Sequence, residues 1–187
     1  PKYMLLCHDD YLASPQALEK ASRALDEHPQ ASAVYCDLAY VSAAKQHLYD
    51  QRFKRTRLFM ADDAGRLSLL LARNMFGIPL AIRSSSAKGL GYKLELPYSA
   101  DLELSWRLSQ GGLCVHINEP LICNRYRSDN LTWNLVGTAS AEMIKIHEAF
   151  FGIPQFSVRL RIYFASWVAS FLKRAFKVFA RVRVQFG

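Results

Sequence analysis

The residues of this chain whose types and spacing can do chemistry fall in three places. His8-Asp9-Asp10 stand directly after a short apolar run, Tyr3 to Cys7. Two adjacent carboxylates at a strand end can hold a hard divalent cation, which can in turn hold phosphate oxygens. In open α/β sheets, ligands gather at the carboxyl ends of strands. Asp is also common in turns, so both residues can equally serve to solvate a bend and cap the next helix. Asp101 follows Ser99-Ala100, which reads as a helix start. A helix N-terminus favours an ionised carboxylate, and in a cleft such a group can act as a general base. Simple charge complementarity in the first turn is the competing reading. Arg125-Tyr126-Arg127 close a strand-like run. The forked donors of Arg suit phosphate, and a solvated strand end is the plainer alternative.

Other polar residues carry less. His116 alternates within a strand-like run and reads as structural. Cys7 and His8 are soft ligands with no second Cys or His beside them, so a zinc site is not expected.

These residues need a scaffold, and its elements can be read from the pattern. Tyr3 to Cys7 is expected to be a buried strand. Ser14-Pro15 starts a helix, with Leu18, Ala21 and Leu25 on one face and a stop near His28-Pro29. Ala33 to Val41 is a second strand, followed by a polar, basic stretch from Ser42 to Arg57 that reads as a hairpin return or an exposed loop. A short helix is expected over Arg66 to Arg73, a strand over Pro79 to Arg83, and a turn over Ser84 to Gly91. A helix begins at Ser99, carries Leu104 and Leu108 on one face, and stops at Gly111-Gly112. Leu113 to Ile117 and Leu121 to Tyr126 read as two short strands broken by Asn118-Glu119-Pro120. Trp133 to Phe151 is a helix, and Gly152-Ile153-Pro154 a boundary. The fold class is therefore α/β, a mixed sheet flanked by helices.

Composition narrows the class further. The chain has 187 residues, 51% of them apolar and 21% charged, which excludes general disorder. Cysteines at positions 7, 36, 114 and 123 form no C-x-x-C pair, so reduced thiols in a cytosolic setting are expected. The net charge of +8 is concentrated at the end. From Gln155 onward there are seven Lys or Arg and no acidic residue, leaving 17 basic against 16 acidic residues before it. A nucleic-acid-binding domain would carry a basic face on its body, so nucleic acid is not an expected partner. The tail reads instead as an in-plane amphipathic helix. Phe164, Val168, Phe171, Ala175, Phe179 and Val182 form its apolar stripe, and Lys173, Arg174, Lys177 and Arg181 lie off it. Ile162 to Leu172 is about half the length of a spanning helix.

The order of motifs resembles family 2 glycosyltransferases of the GT-A fold. Residues 1 to 12, PKYMLLCHDDYL, look like the family's strand that ends in a D-x-D-D-Y-L-like run. Gly91-Tyr92 and Ser99 to Leu108 (SADLELSWRL) look like its "G-F … E-D-x-D-L-x-x-R-L" segment. Gly112 to Leu121 resembles the strand after it, and Arg125 to Thr132 the closing "Y-R-x-H … T" run. The likeness covers roughly residues 1 to 135. Cys7 stands where the family has the first Asp of D-x-D, and Ala100 where a Glu precedes the base.

The resemblance implies a partial GT-A, Rossmann-like domain over residues 1–152 and a basic amphipathic helical tail over 153–187. It implies metal-dependent, inverting transfer of a sugar from a nucleotide-sugar donor to a glycan or lipid-linked acceptor, as in cell-envelope polysaccharide synthesis. Asp101 would be the catalytic base, and Asp9 and Asp10 the ligands of a divalent cation, Mn²⁺ or Mg²⁺. Cys7, His8 and Arg127 would face the donor, Arg127 beside its diphosphate. The family's nucleotide-binding half has no counterpart here, so the chain reads as the C-terminal part of a longer protein, inactive alone. The expected location is cytoplasmic and peripheral, at the inner face of the membrane, with residues 156–186 on its surface. The alternative is a non-catalytic membrane- or anion-binding module derived from this fold. A metal-dependent phosphohydrolase would need more His or Asp ligands than the chain supplies.

Overall fold

A computed structural model describes residues 1–5, 11–53, 58–60, 79–87, 91–109, 113–125, 138–152, 156–165, 167–168 and 171. Its elements are β1 (Tyr3–Leu5), β2 (Tyr11–Leu12), α1 (Ala17–Glu27), β3 (Ala33–Val41), β4 (His47–Gln51), β5 (Leu58–Met60), β6 (Pro79–Arg83), α2 (Ala100–Ser109), β7 (Leu113–Arg125) and α3 (Ala139–Phe151). Residues 156–165 and 167–168 are also helical. The helix expected over Arg66 to Arg73, and the first residues of the one expected from Trp133, lie outside the described residues.

The strands form one seven-stranded mixed sheet. At its centre the two longest, β3 and β7, pair in parallel from Ala33↔Cys114 to Val41↔Arg125. Each is flanked on its outer side by two short antiparallel strands laid end to end. β6 and β4 lie along β3, and β5 and β2 along β7. β1 pairs antiparallel with β6, so β1, β3 and β7 all point the same way.

Helices cover both faces, and β3 shows why. It is nearly all buried, and its alternate side chains go to opposite sides, as the pleat requires. Val34, Cys36 and Leu38 meet Ala17, Ala21, Ala24 and Leu25 of α1. Ala33 and Tyr35 meet Leu102, Leu104, Trp106 and Leu108 of α2, with Met143 and Ile146 of α3 and Ile162 beyond it. Trp106 stacks on Phe150 at 5.0 Å between ring centroids, which joins α2 to α3.

Four sequence expectations are corrected here. β1 is not buried: Met4 is 42% and Leu5 38% exposed. Among the described residues β1 has a neighbour on one edge only, so nothing covers the other. α1 begins at Ala17, after a turn in which the Ala17 N–H donates to Ser14 O. Its buried face is Ala17, Ala21, Ala24 and Leu25, while Leu18 is exposed, because small alanines let the helix lie close on the sheet. Finally, Leu113 to Arg125 is one strand and not two. Pro120 is tolerated because the pairing with β3 shifts register around Asp37 and because β5 and β2 leave a gap on the other side.

Cys36, Cys114 and Cys123 are buried free thiols. Burial pushes the Cys36 thiol up from its ordinary 9.0 to about 12. Above pH 9 the unfolded chain therefore loses a proton that the native protein keeps, and stability should fall as the pH climbs from about 9 toward about 12. Urea midpoints should drop over that range in the wild type, and drop less in Cys36→Ala. Equal drops in both would show that this thiol does not set the alkaline limit.

Candidate functional site at the start of helix α2

Asp101 sits in the first turn of α2, partly exposed, with its Oδ1 accepting the Leu102 N–H at 2.8 Å. The sequence places it there because Ser99 ends a run of turns and α2 then buries Leu102, Leu104, Trp106 and Leu108. The turn is anchored from outside the helix. Glu142, a buried carboxylate on α3, accepts the Tyr98 N–H at 3.0 Å and the Ser99 N–H at 2.8 Å. The Ser99 N–H also reaches Leu96 O at 3.2 Å, so Glu142 adds the shorter of its two bonds at the entry to the helix.

Two residues further on, Glu103 is 1% exposed and held by three cationic contacts. Arg107 grips it with two parallel hydrogen bonds of 2.8 Å, and Lys93 Nζ lies 3.0 Å away. A two-pronged guanidinium–carboxylate pair gives directional strength as well as charge balance. Arg107 also donates to the carbonyl of Gly91 at 2.5 Å, so the loop that carries Gly91, Tyr92 and Lys93 is tied to α2. Tyr92 therefore lies within electrostatic reach of Asp101. Partial burial, and then the Asp101 charge, push its phenol up to about 12. Tyr92 is a neutral hydrogen-bond donor at neutral pH.

Together these groups present an accessible carboxylate at a helix N-terminus, beside a protonated phenol, on a turn braced from two sides. A carboxylate so placed can take a proton from a hydroxyl within hydrogen-bond reach. Of the residues that the resemblance gives a role, Asp101 is the one the described structure contains; Arg125, of the Arg-Tyr-Arg run, ends β7. Cys7, His8, Asp9, Asp10 and Arg127 lie outside the described residues. The strands that lead to them do not: β1 ends at Leu5, β7 ends at Arg125, and the two run in the same direction. Among the described residues no group of three or more His, Cys, Asp or Glu could hold a metal ion.

His116 is structural, as its place in a strand suggested. It is buried, with Nε2 3.0 Å from Asp37 Oδ1. The sequence reading gave no role to Tyr92, Lys93, Glu103, Arg107 or Glu142. The i,i+4 spacing of Glu103 and Arg107 was a usable local signal. Glu142 had none, since it acts on backbone groups 43 residues away.

No protein-family model matches the chain, and no curated protein matches it.

Proposed function

We propose that the chain is the catalytic-side portion of a metal-dependent, inverting glycosyltransferase. It would move a sugar from a nucleotide-sugar donor to a hydroxyl of a glycan or lipid-linked acceptor. The observation that carries this reading is Asp101, an accessible carboxylate on a braced helix start, in a sheet where β1 and β7 run the same way toward the other candidate residues. Asp101 accepts the proton of the acceptor hydroxyl. The acceptor oxygen bonds to the anomeric carbon as the bond from that carbon to the diphosphate oxygen breaks. The nucleoside diphosphate leaves with the electron pair, and the configuration at the carbon inverts. Asp9 and Asp10 would hold a divalent cation, which supplies charge neutralisation for the leaving diphosphate when bound. Arg127 suits the same oxygens through its forked donors.

The finer fold assignment belongs with this proposal. In it the domain is a partial GT-A fold. Among the described residues β1 has an uncovered edge, with Met4 and Leu5 exposed beside it, which fits a sheet that another strand would extend.

The test is metal-dependent release of nucleoside diphosphate from a panel of nucleotide sugars, using the protein as it is made in the cell. Release should fall at least about a hundredfold in Asp101→Asn and in Asp9→Asn. Release that survives Asp101→Asn would remove the assigned base and the mechanism with it. A folded protein that releases nothing from any donor would be a non-catalytic module on this scaffold.

A further inference from the structure

The helical stretch from residue 156 has two faces that the core separates. Val158, Ile162 and Ala165 pack on the cluster shared by α2 and α3, and Ile162 is 1% exposed. At about 100° per residue the opposite side carries Phe156, Leu160, Tyr163, Phe164, Trp167 and Phe171, all within an arc of about 100°. Every one of them is exposed, from 52% at Tyr163 to 81% at Phe156. Phe164, Trp167 and Phe171 stack in a row, with successive ring centroids 6.2 Å apart. Arg159 and Arg161 fall to either side of the stripe. The outward stripe thus differs from the one read in the sequence. Phe164 and Phe171 belong to it, but Val168 lies at its margin, half-buried.

An exposed row of aromatics this long needs an occupant. We propose that this face lies in the headgroup region of an anionic lipid bilayer, with the helix parallel to the surface. Two features select lipid. The chain from Gln155 onward carries seven Lys or Arg and no acidic residue, while the rest is nearly neutral, so the positive charge belongs to the same stretch of sequence as the stripe and matches anionic headgroups. The stripe is built of Phe, Tyr and Trp, whose rings suit the boundary between headgroups and acyl chains. Among the described residues no helix is long and apolar enough to cross a membrane, which fits an in-plane arrangement. This proposal stands apart from the transfer chemistry, since it invokes no residue to which that chemistry gives a role.

The experiment is flotation of the full chain with vesicles, either phosphatidylcholine alone or equal parts phosphatidylcholine and phosphatidylglycerol. The protein should float with the anionic vesicles and stay behind with the neutral ones. Phe164→Ser/Trp167→Ser should weaken binding at least about tenfold, through lost apolar burial. Arg161→Gln and Lys173→Gln should each weaken it about fivefold, with the loss growing as salt is lowered. Circular dichroism checks that the variants are folded. Leu160→Ser/Phe171→Ser, a second outward pair, serves if the first misfolds. Three results would overturn the proposal: no flotation of the wild type, equal flotation with both vesicle types, or full binding by both serine pairs. A wild type that self-associates without lipid, and becomes monomeric on Phe164→Ser/Trp167→Ser, would assign the face to a second copy instead.

Discussion

Asp37→Ala should cost the protein about 3–5 kcal/mol of stability, a large part of what holds a small domain together. Asp37 and His116 are 2% and 1% exposed. Asp37 Oδ1 accepts the Phe53 N–H at 3.0 Å and lies 3.0 Å from His116 Nε2. Phe53 in turn meets the imidazole edge-on, with centroids 6.0 Å apart. The residue stands where pairing between β3 and β7 shifts register, opposite Pro120. At that point the ladder of backbone hydrogen bonds is interrupted, and the side-chain pair ties the two central strands across the gap. Truncation strips an acceptor from buried donors on two separate elements, and each such loss costs about 1–3 kcal/mol. The thermal midpoint should fall by at least about 6 °C. His116→Ala should also destabilise, and the double variant should cost less than the two single losses together, because the second change removes a partner already lost. Strict additivity in that cycle would show that the two residues act independently.

Glu142→Ala should destabilise by about 2–4 kcal/mol and loosen the start of α2 at the same time. Its carboxylate accepts from the Tyr98 and Ser99 N–H groups, the latter shared with Leu96 O, and it is 4% exposed, so water does not readily replace it. Amide exchange at Tyr98, Ser99 and the first turn of α2 should speed up more than exchange in β3 and β7. Glu142→Gln keeps one acceptor oxygen and should lose less than half as much. Because Asp101 lies two residues past Ser99, turnover in the proposed reaction should fall in Glu142→Ala even where the protein is fully folded. An unchanged urea midpoint in that variant, with unchanged exchange at Ser99, would show that α3 does not brace this turn.

Both predictions concern groups that local pattern does not expose, and this marks where sequence reading stops. The apolar, Val- and Tyr-bearing run of Ala33 to Val41, the strand at Pro79 to Arg83 and the helix start around Ser99 and Ala100 are local properties. Each is set by side-chain periodicity and turn chemistry within about ten residues, so each could be read before any fold was known. The basic, acid-free end of the chain was equally visible, since charge needs only counting. Asp101 stood out for the same reason, as a carboxylate just after a helix-start signal.

The tertiary structure decided what depends on a partner from elsewhere in the chain. It made Leu113 to Arg125 a single strand, because β3 supplies a register shift that accommodates Pro120. It turned Leu18 outward and drew Ala17 and Ala24 in, because helix orientation answers to the shape of the sheet beneath. It exposed Met4 and Leu5, which their apolar type alone would have buried, since burial depends on how many neighbours a strand has and not on its composition. It selected which side of the helix after residue 156 meets the core, and so which aromatics face outward. It brought Glu142 to Ser99, and His116 to Asp37 across 79 residues, contacts that no local window contains. Composition and periodicity determined which elements form. The energy of burying them against one another determined which residues meet.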